Sequence, residues 1–245
     1  MKKLLTSVVL GFCTTLLAIG QSDYKMLELV YLKPVAGADL EAASRVLAAH
    51  NKKYHSEDPY KATVWSNLTG SMVGTWVWAM YPATFTAYDN RPSGKDHEED
   101  WNKTINPYFE IVANEYWQED DKLSYFPENY SLGTKVVWTI YDVRPGDNYR
   151  FKALLKKVAE VYKQKKYETG FVVYRNQFEN KDGRDVAIET MFSNWSFLDK
   201  DNKLKKDYDE LHGEGSWSEL IEEYRDIVIA SEDELSVILP EMSVE

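Results

Sequence analysis

The chain has 245 residues, with 29 lysine and arginine residues against 40 aspartate and glutamate residues and a formal net charge of −11. This acidic balance argues against nucleic-acid binding, which needs a basic surface to meet the phosphates. The single cysteine, Cys13, lies in the apolar N-terminal run, so the rest of the chain has no disulfide and must be stabilised by a packed core.

Residues 1–20 have the pattern of a cleaved signal peptide. Two lysines form a basic n-region, the run from Leu4 to Leu17 is apolar, and small residues follow up to Gly20. This apolar run is shorter than the roughly 20 residues that a membrane span needs. We therefore predict cleavage before Gln21, a periplasmic or secreted protein, and no membrane span in the mature chain.

Residues 21–130 are predicted to form a first unit with the order strand, helix, strand, strand, helix, strand. Alternating apolar residues predict the strands, and apolar residues at helical spacing predict the helices. Pro34 and Gly37 end the first strand, and Asp39 can cap the following helix. The predicted strands cover 24–33, 62–68, 72–81 and 123–126, and the predicted helices cover 40–54 and 98–118.

Residues 131–245 repeat this order as a second unit. Landmarks recur in sequence, since Trp101 of the first copy corresponds to Trp217 of the second, and each copy ends near a Pro-Glu pair. The short linker over 129–133 suits two packed halves better than two free domains. The predicted strands of this unit cover 135–143, 170–178, 185–192 and 234–239, and its predicted helices cover 148–166 and 215–231.

This element order is that of the ferredoxin-like unit. Each unit has one sheet face covered by helices and one bare face, and pairing the bare faces buries both and removes the exposed edges. The predicted fold class is therefore α+β, with two tandem ferredoxin-like βαββαβ units packed as an intramolecular α+β barrel. The arrangement resembles the dimeric α+β barrel superfamily in a fused, tandem form.

The resemblance rests on element order and scattered aromatic residues, and it covers nearly all of the mature chain. That superfamily includes haem-degrading and cofactor-free monooxygenases, chlorite dismutases that bind haem, small isomerases and stress-response proteins. The resemblance implies a pocket between the sheet and the helices of a unit. The Asn, Trp and His of the haem-degrading members have no match here, because Tyr31 occupies the first-strand position. A chlorite dismutase type of haem site would need His212, which looks like part of a solvated loop.

Two residues are candidates for a catalytic role. His50, in the first helix, can act as a general base or simply donate a structural hydrogen bond. Glu189 lies in mid-strand between Ala187 and Met191, so burial is expected to raise the pKa of its carboxyl group, as for a catalytic acid. Alternatively, Arg175 on the preceding strand pairs with Glu189 in a structural ion pair.

Aromatic residues on the middle strands of both units form a candidate binding site for a flat or apolar small molecule. The alternative is that they fill the barrel interior, which needs bulky side chains, and we favour this for most of them. The candidate ligand-binding residues are Trp65, Trp76, Trp78, Tyr174 and Arg175.

No metal site and no cofactor are predicted. His50 and His55 are five residues apart, so they are expected to point to different faces of a helix, whereas a helical metal-binding pair is four apart. The acidic residues after His97 are better explained as residues at a helix start, where they interact favourably with the macrodipole.

The sequence thus favours an exported small-molecule-binding protein with an aromatic-lined pocket. A cofactor-free monooxygenase or isomerase that uses His50 or Glu189 as a base is one alternative. A haem-binding protein is another, and a structural protein that keeps only the fold is a third. The expected partner is a small apolar or aromatic ligand, and monomer and homodimer both remain open.

Overall fold

The computed structural model of the protein describes residues 24–92, 94–178, 181 and 183–244, and the predicted signal peptide lies outside them. The described residues form an α+β fold with eight strands and six α-helices. The strands are β1 (Met26–Pro34), β2 (Ala62–Asn67), β3 (Trp76–Ala83), β4 (Phe109–Glu119), β5 (Lys135–Val143), β6 (Val172–Asn176), β7 (Val186–Phe192) and β8 (Val228–Ile238). The α-helices are α1 (Leu40–Tyr54), α2 (Phe85–Tyr88), α3 (Lys95–Asp100), α4 (Asn148–Gln164), α5 (Leu204–His212) and α6 (Ser216–Ile227).

The eight strands close into one antiparallel barrel in the order β1-β3-β2-β8-β5-β7-β6-β4. The two halves of the chain meet where β2 pairs with β8 and where β4 pairs with β6. Every strand of the barrel is therefore paired on both sides, and the barrel is formed within a single chain. Among the described helices, none is both long enough and apolar enough to span a membrane.

Residues alternate along each strand between the barrel interior and the helix-covered outside. The interior is filled by a cluster that includes Trp65, Trp117 and Trp138. A second cluster, with Leu47 and Trp78, lies under α1. A third cluster of apolar residues lies under α4, α5 and α6. The helices therefore cover the outside of the barrel in two separate groups, one for each half.

One predicted helix of the first half is wrong. The segment predicted as a helix over 98–118 is helical only up to Ile105, through α3 and a π-helical turn (Trp101–Ile105), and β4 follows. Pro107 cannot continue a helix, because it lacks an N–H group and its ring clashes with the carbonyl four residues earlier. The strand predicted over 123–126 is reduced to a single bridge between Tyr125 and Phe171.

Other predicted elements are close to the observed ones. Asp39 caps α1 as predicted, since its Oδ1 accepts hydrogen bonds from the backbone N–H groups of Glu41 and Ala42, both at 3.0 Å. In the second half, α6 ends at Ile227 and β8 begins directly after it, earlier than predicted. His212 is the last residue of α5, so the prediction of a solvated loop around it is wrong.

A buried ionic network lies in the interior of the barrel. The guanidinium of Arg184 donates from Nε to Glu115 Oε1 at 2.6 Å and from Nη1 to Glu234 Oε1 at 2.7 Å. Its Nη2 donates to the hydroxyl oxygen of Tyr31 at 2.9 Å. Trp117 Nε1 donates to Glu115 Oε2 at 3.0 Å. All three charged side chains are buried, so this network is part of the barrel core.

Candidate functional site

A cavity of about 510 Å³ lies between α4 and the outer face of β5 and β6. Small-molecule sites usually have volumes of about 300–1,000 Å³. Its apolar wall is formed by Leu123, Val143, Phe151, Leu155, Val173 and Val186, and its polar wall includes Asp142, Lys152, Arg175, Asn176 and Asp185. The cavity is therefore lined by both apolar and charged side chains.

Local sequence pattern explains how both kinds of side chain reach the cavity. Phe151 and Leu155 are four residues apart on α4, so they share the helix face that packs on the barrel, and Lys152 lies on its flank. On β6, Val173 and Arg175 point to this helix-covered side, whereas Tyr174 between them points into the barrel. An apolar residue and an arginine are thus presented to the same cavity.

Arg175 is the charged residue of the cavity with an unused donor. Its Nη2 donates to Gln118 Oε1 at 2.8 Å, and its Nε lies 3.5 Å from Asp120 Oδ2. The Nε atom is buried and has no hydrogen-bond partner among the described residues. A buried N–H without a partner costs roughly 1–3 kcal/mol, so this atom favours a ligand with an acceptor oxygen.

The predicted pairing of Arg175 with Glu189 is wrong, because the two side chains point to opposite faces of the sheet. Glu189 faces the barrel interior next to Trp138 and accepts a hydrogen bond from the hydroxyl of Tyr174 at 3.0 Å. Burial raises the pKa of Glu189 to about 7, as its mid-strand position predicts, and the charge of nearby Glu119 acts in the same direction. Glu189 does not line the cavity.

Two of the aromatic residues predicted to bind ligand lie in the barrel interior. The rings of Trp65 and Trp138 stack with 6.0 Å between their centroids. The ring centroids of Tyr174 and Trp138 are 5.5 Å apart. Both Trp65 and Tyr174 are buried. They therefore contribute to the core, the alternative that the sequence favoured for most of these residues.

Of two others in the first half, Trp78 lies in the core and the partly buried Trp76 packs against it. Trp78 is buried, and its Nε1 donates to Asn51 Oδ1 at 2.9 Å. Trp76 packs against Phe109 with 5.1 Å between ring centroids. Of the five predicted ligand-binding residues, only Arg175 lines the cavity, and Phe151 is the one aromatic residue among the described residues that surround it.

His50, the other predicted catalytic residue, belongs to a histidine cluster in the first half. One nitrogen atom each from His50, His55 and His97 lies within 4.8 Å of the other two. His50 and His55 are buried, and His97 is partly exposed. The expectation that His50 and His55 point apart is wrong, because α1 ends at Tyr54 and His55 adopts a non-helical conformation with φ −131° and ψ 37°.

The outer nitrogen atoms of two of these rings have oxygen partners. Asp100 Oδ2 lies 2.7 Å from Nδ1 of His50, and the backbone oxygen of Tyr60 lies 3.2 Å from Nδ1 of His55. Nε2 of His55 faces Nε2 of His97 at a distance of 3.3 Å. His50 Nε2 is buried and has no hydrogen-bond partner among the described residues.

Burial is the main cause that lowers the pKa of all three imidazoles. The pKa of His55 is lowered to about 3, since the two neighbouring histidines also disfavour a positive charge there. For His50, the carboxylate of Asp100 acts in the opposite direction and moderates the effect of burial. The cluster is therefore held in the neutral form near neutral pH.

Sequence spacing gives no signal for this cluster. His97 is 42 residues from His55, and it reaches the other two rings only because side-chain hydrogen bonds and ring contacts bring α3 next to the end of α1. His212 is elsewhere, at the end of α5, where its ring lies 4.4 Å from that of Tyr208.

Comparison with solved structures finds proteins of similar fold. No protein-family profile and no curated protein sequence matches the chain. A candidate monooxygenase from Lactobacillus acidophilus is similar in structure, with 14% identity, 87% of this chain and 94% of that chain covered, and a TM-score of 0.51. An anthrone oxidase-like protein is similar at 11% identity, covering 89% of this chain and 92% of that chain with a TM-score of 0.55.

A chlorite dismutase from Candidatus Nitrospira defluvii is similar at 9% identity, with 88% of this chain and 91% of that chain covered and a TM-score of 0.53. These proteins are members of the dimeric α+β barrel superfamily, and this chain has the fold of that superfamily. At such low identity the likeness extends to the fold and not to the chemistry.

Proposed function

We propose that the protein binds a small amphipathic carboxylate in the cavity between α4 and the barrel. The observation that carries this proposal is one cavity lined both by apolar side chains and by Arg175, whose Nε is 3.5 Å from Asp120 Oδ2 but makes no hydrogen bond within the described residues. An apolar ligand body would contact Phe151, Leu155 and Val173. A carboxylate oxygen would accept the hydrogen bond that Arg175 Nε does not make within the described protein.

Charged side chains of both signs surround the cavity. Lys152, Arg175 and Lys181 line it together with Asp142 and Asp185. Asp185 is already engaged, because its Oδ2 accepts a hydrogen bond from the backbone N–H of Val143 at 2.9 Å. Asp120 lies 4.0 Å from Nζ of Lys152 and 3.5 Å from Nε of Arg175, so acidic and basic side chains around the cavity are equal in number. The preference for a carboxylate therefore rests on the hydrogen-bond donor of Arg175 and not on net charge.

Calorimetric titration with para-bromobenzoate and with its uncharged analogue para-bromobenzamide tests the proposal. We expect saturable one-to-one binding of the carboxylate, and weaker binding of the amide. Arg175→Gln is expected to weaken carboxylate binding by roughly tenfold or more, because a hydrogen bond to a charged group contributes about 1.5–3 kcal/mol. Binding of the amide is expected to change less in this variant.

Two further variants check the location. Asn148 is exposed at the edge of the cavity, so Asn148→Trp is expected to obstruct entry without changing the core. Lys156→Gln is the matched control, since Lys156 is an exposed lysine of α4 outside the cavity. Equal losses for the acid and the amide in Arg175→Gln, or unaltered binding in Asn148→Trp, would contradict a carboxylate site in this cavity.

A cofactor-free monooxygenase or isomerase is the second candidate function. The His50–Asp100 pair supports it, because a histidine held at 2.7 Å by a carboxylate is the arrangement that a general base needs. The raised pKa of Glu189 is also suitable for proton transfer near neutral pH. Neither residue lines the cavity, however, so binding without chemistry is the function that we favour.

Haem does not fit this cavity. Haem iron is held in proteins by His, Cys, Met or Tyr side chains. None of these residue types occurs among the described residues that line the cavity, and His212 lies outside it. The proposal therefore gives haem no part in the function of this chain.

We also infer that the two halves are ferredoxin-like units in tandem and that the protein is exported. The first inference is supported by the element order, which is the same in both halves: strand, helix, strand, strand, further helices and a last strand. These elements are β1, α1, β2, β3 and β4 in the first half and β5, α4, β6, β7 and β8 in the second. The basic and apolar pattern of residues 1–20 supports the second. Sequencing the N-terminus of the purified native protein tests export, and we expect it to begin at Gln21.

A further inference from the structure

We propose that His50, His55 and His97 bind one Zn²⁺ ion through their Nε2 atoms. The site lies in the first half of the chain, between the end of α1 and α3, and is separate from the carboxylate cavity of the second half. Neutral imidazoles are good ligands for zinc, and three histidines with a fourth open position are an established zinc donor set.

The distance between two of the nitrogen atoms matches zinc coordination. In a tetrahedral site with Zn–N bonds of about 2.0–2.1 Å, two ligand nitrogens are separated by roughly 3.3–3.4 Å. His55 Nε2 and His97 Nε2 are 3.3 Å apart. One nitrogen of His50 lies within 4.8 Å of the ligand atoms of both other rings, so the proposal requires the His50 ring to move closer to them when the ion binds.

The surroundings fix the tautomer that coordination requires. Asp100 on Nδ1 of His50 and the backbone oxygen of Tyr60 on Nδ1 of His55 hold a proton on each Nδ1. Each Nε2 then carries a lone pair that points into the cluster. Oxygen partners of this kind behind metal-binding histidines orient the rings and strengthen their donor atoms.

A network of hydrogen bonds between neutral histidines explains less. It accounts for the contact between His55 and His97, but it leaves His50 Nε2 buried without a partner among the described residues. A buried polar atom without a partner is unfavourable. A zinc ion supplies a partner for all three nitrogens at once, and the partly exposed side of His97 leaves a route for a water molecule to the fourth position.

Metal titration of the purified protein after chelator treatment and dialysis tests the site. We expect one Zn²⁺ per chain by calorimetry, and Co²⁺ is expected to give the visible absorption bands of a tetrahedral complex. Zinc at a hundredfold excess over its dissociation constant is expected to raise the thermal midpoint by roughly 5–10 °C. Zn²⁺ should displace Co²⁺ and remove the bands.

Variants locate the ion. His97→Ala removes the partly exposed ligand and is expected to abolish the Co²⁺ bands while far-UV circular dichroism shows a folded protein. His212→Ala is the matched control and is expected to keep both the bands and the stoichiometry. Asp100→Asn is expected to weaken Zn²⁺ binding by about 10–100-fold, because Asp100 orients His50.

Several results would overturn the proposal. One is the lack of saturable Zn²⁺ binding by the wild-type protein. Another is tetrahedral Co²⁺ bands that persist in His97→Ala, since this would place the ion elsewhere. Should His50→Ala fail to fold, His97→Ala and Asp100→Asn still decide the question, because these two residues are partly exposed.

Discussion

Replacement of Arg184 by methionine tests how the barrel interior is stabilised. Arg184 is 7% exposed and lies between the carboxylates of Glu115 and Glu234, each of which it contacts within 2.7 Å. Methionine keeps an unbranched aliphatic side chain, although a shorter one, and carries no charge. Arg184→Met therefore leaves two carboxylates in the core without their cation, and burial already raises the pKa of Glu234 in the intact network.

The magnitude follows from this geometry. Removing one partner of a buried ion pair destabilises a protein by about 3–5 kcal/mol. The thermal midpoint of a chain of this size falls by roughly 2–4 °C per kcal/mol, so we expect a decrease of about 6–20 °C. The energy lost is a large part of the free energy of unfolding of a typical protein, which is roughly 5–15 kcal/mol.

The compensated variant Arg184→Met/Glu115→Gln/Glu234→Gln separates lost attraction from unpaired charge. Its glutamines keep acceptor oxygens for Tyr31 and Trp117, which both donate to Glu115 in the wild type. We expect the triple variant to recover at least half of the stability that the single variant loses.

Urea unfolding at pH 7 provides the measurement. Stabilities are compared for variants whose free energy of unfolding falls with urea concentration at the same slope as that of the wild type. Arg150→Met is a suitable control, because Arg150 pairs with Glu223 and Asp226 at the surface and is expected to contribute less than Arg184. The reasoning would be refuted if the triple variant were as unstable as Arg184→Met. It would also be refuted if Arg184→Met lost no more stability than Arg150→Met.

Three further predictions concern stability and pH. The pKa of Glu189 is about 7 in the folded protein and near 4.5 when unfolded, so its contribution to stability is full below pH 4.5 and is lost as the pH rises through 7. As the pH rises from 5 to 8, the free energy of unfolding of Glu189→Gln is therefore expected to increase by up to about 3 kcal/mol relative to that of the wild type. Urea unfolding measures this difference, and a difference that does not change with pH would contradict the prediction. Asp39→Ala removes the cap of α1 and is expected to cost about 1 kcal/mol, again by urea unfolding. Trp65→Ala leaves a cavity next to Trp138 and is expected to reduce the free energy of unfolding by about 3–5 kcal/mol. Binding of para-bromobenzoate is expected to be unchanged. Loss of binding in a folded variant would instead show that Trp65 belongs to the ligand site.

Local pattern predicts local structure well in this chain. Asp39 caps α1, and the alternation of apolar residues in β5, β6 and β7 gives strands near the predicted positions. The failure over 98–118 has a local cause too. Ile105, Phe109, Val112 and Tyr116 have helical spacing by coincidence, because they belong to two elements that Pro107 separates.

The functional sites were harder to predict, because they depend on which residues the fold brings together. The alternation in β6 places Tyr174 and Arg175 on opposite faces, but it does not show which face is filled by the tryptophans and which one is left open beside α4. The histidine cluster depends on the end of α1 and on the packing of α3 against it. Neither feature is visible in the spacing of His50, His55 and His97.

The most direct test of the ligand-binding account is a crystal structure of the protein with para-bromobenzoate, in which anomalous scattering locates the bromine atom. The account predicts bromine against Phe151 and Leu155, with a carboxylate oxygen within hydrogen-bond distance of Arg175 Nε. Ordered bromine at any other place, or an empty cavity in crystals at saturating ligand, would contradict the account.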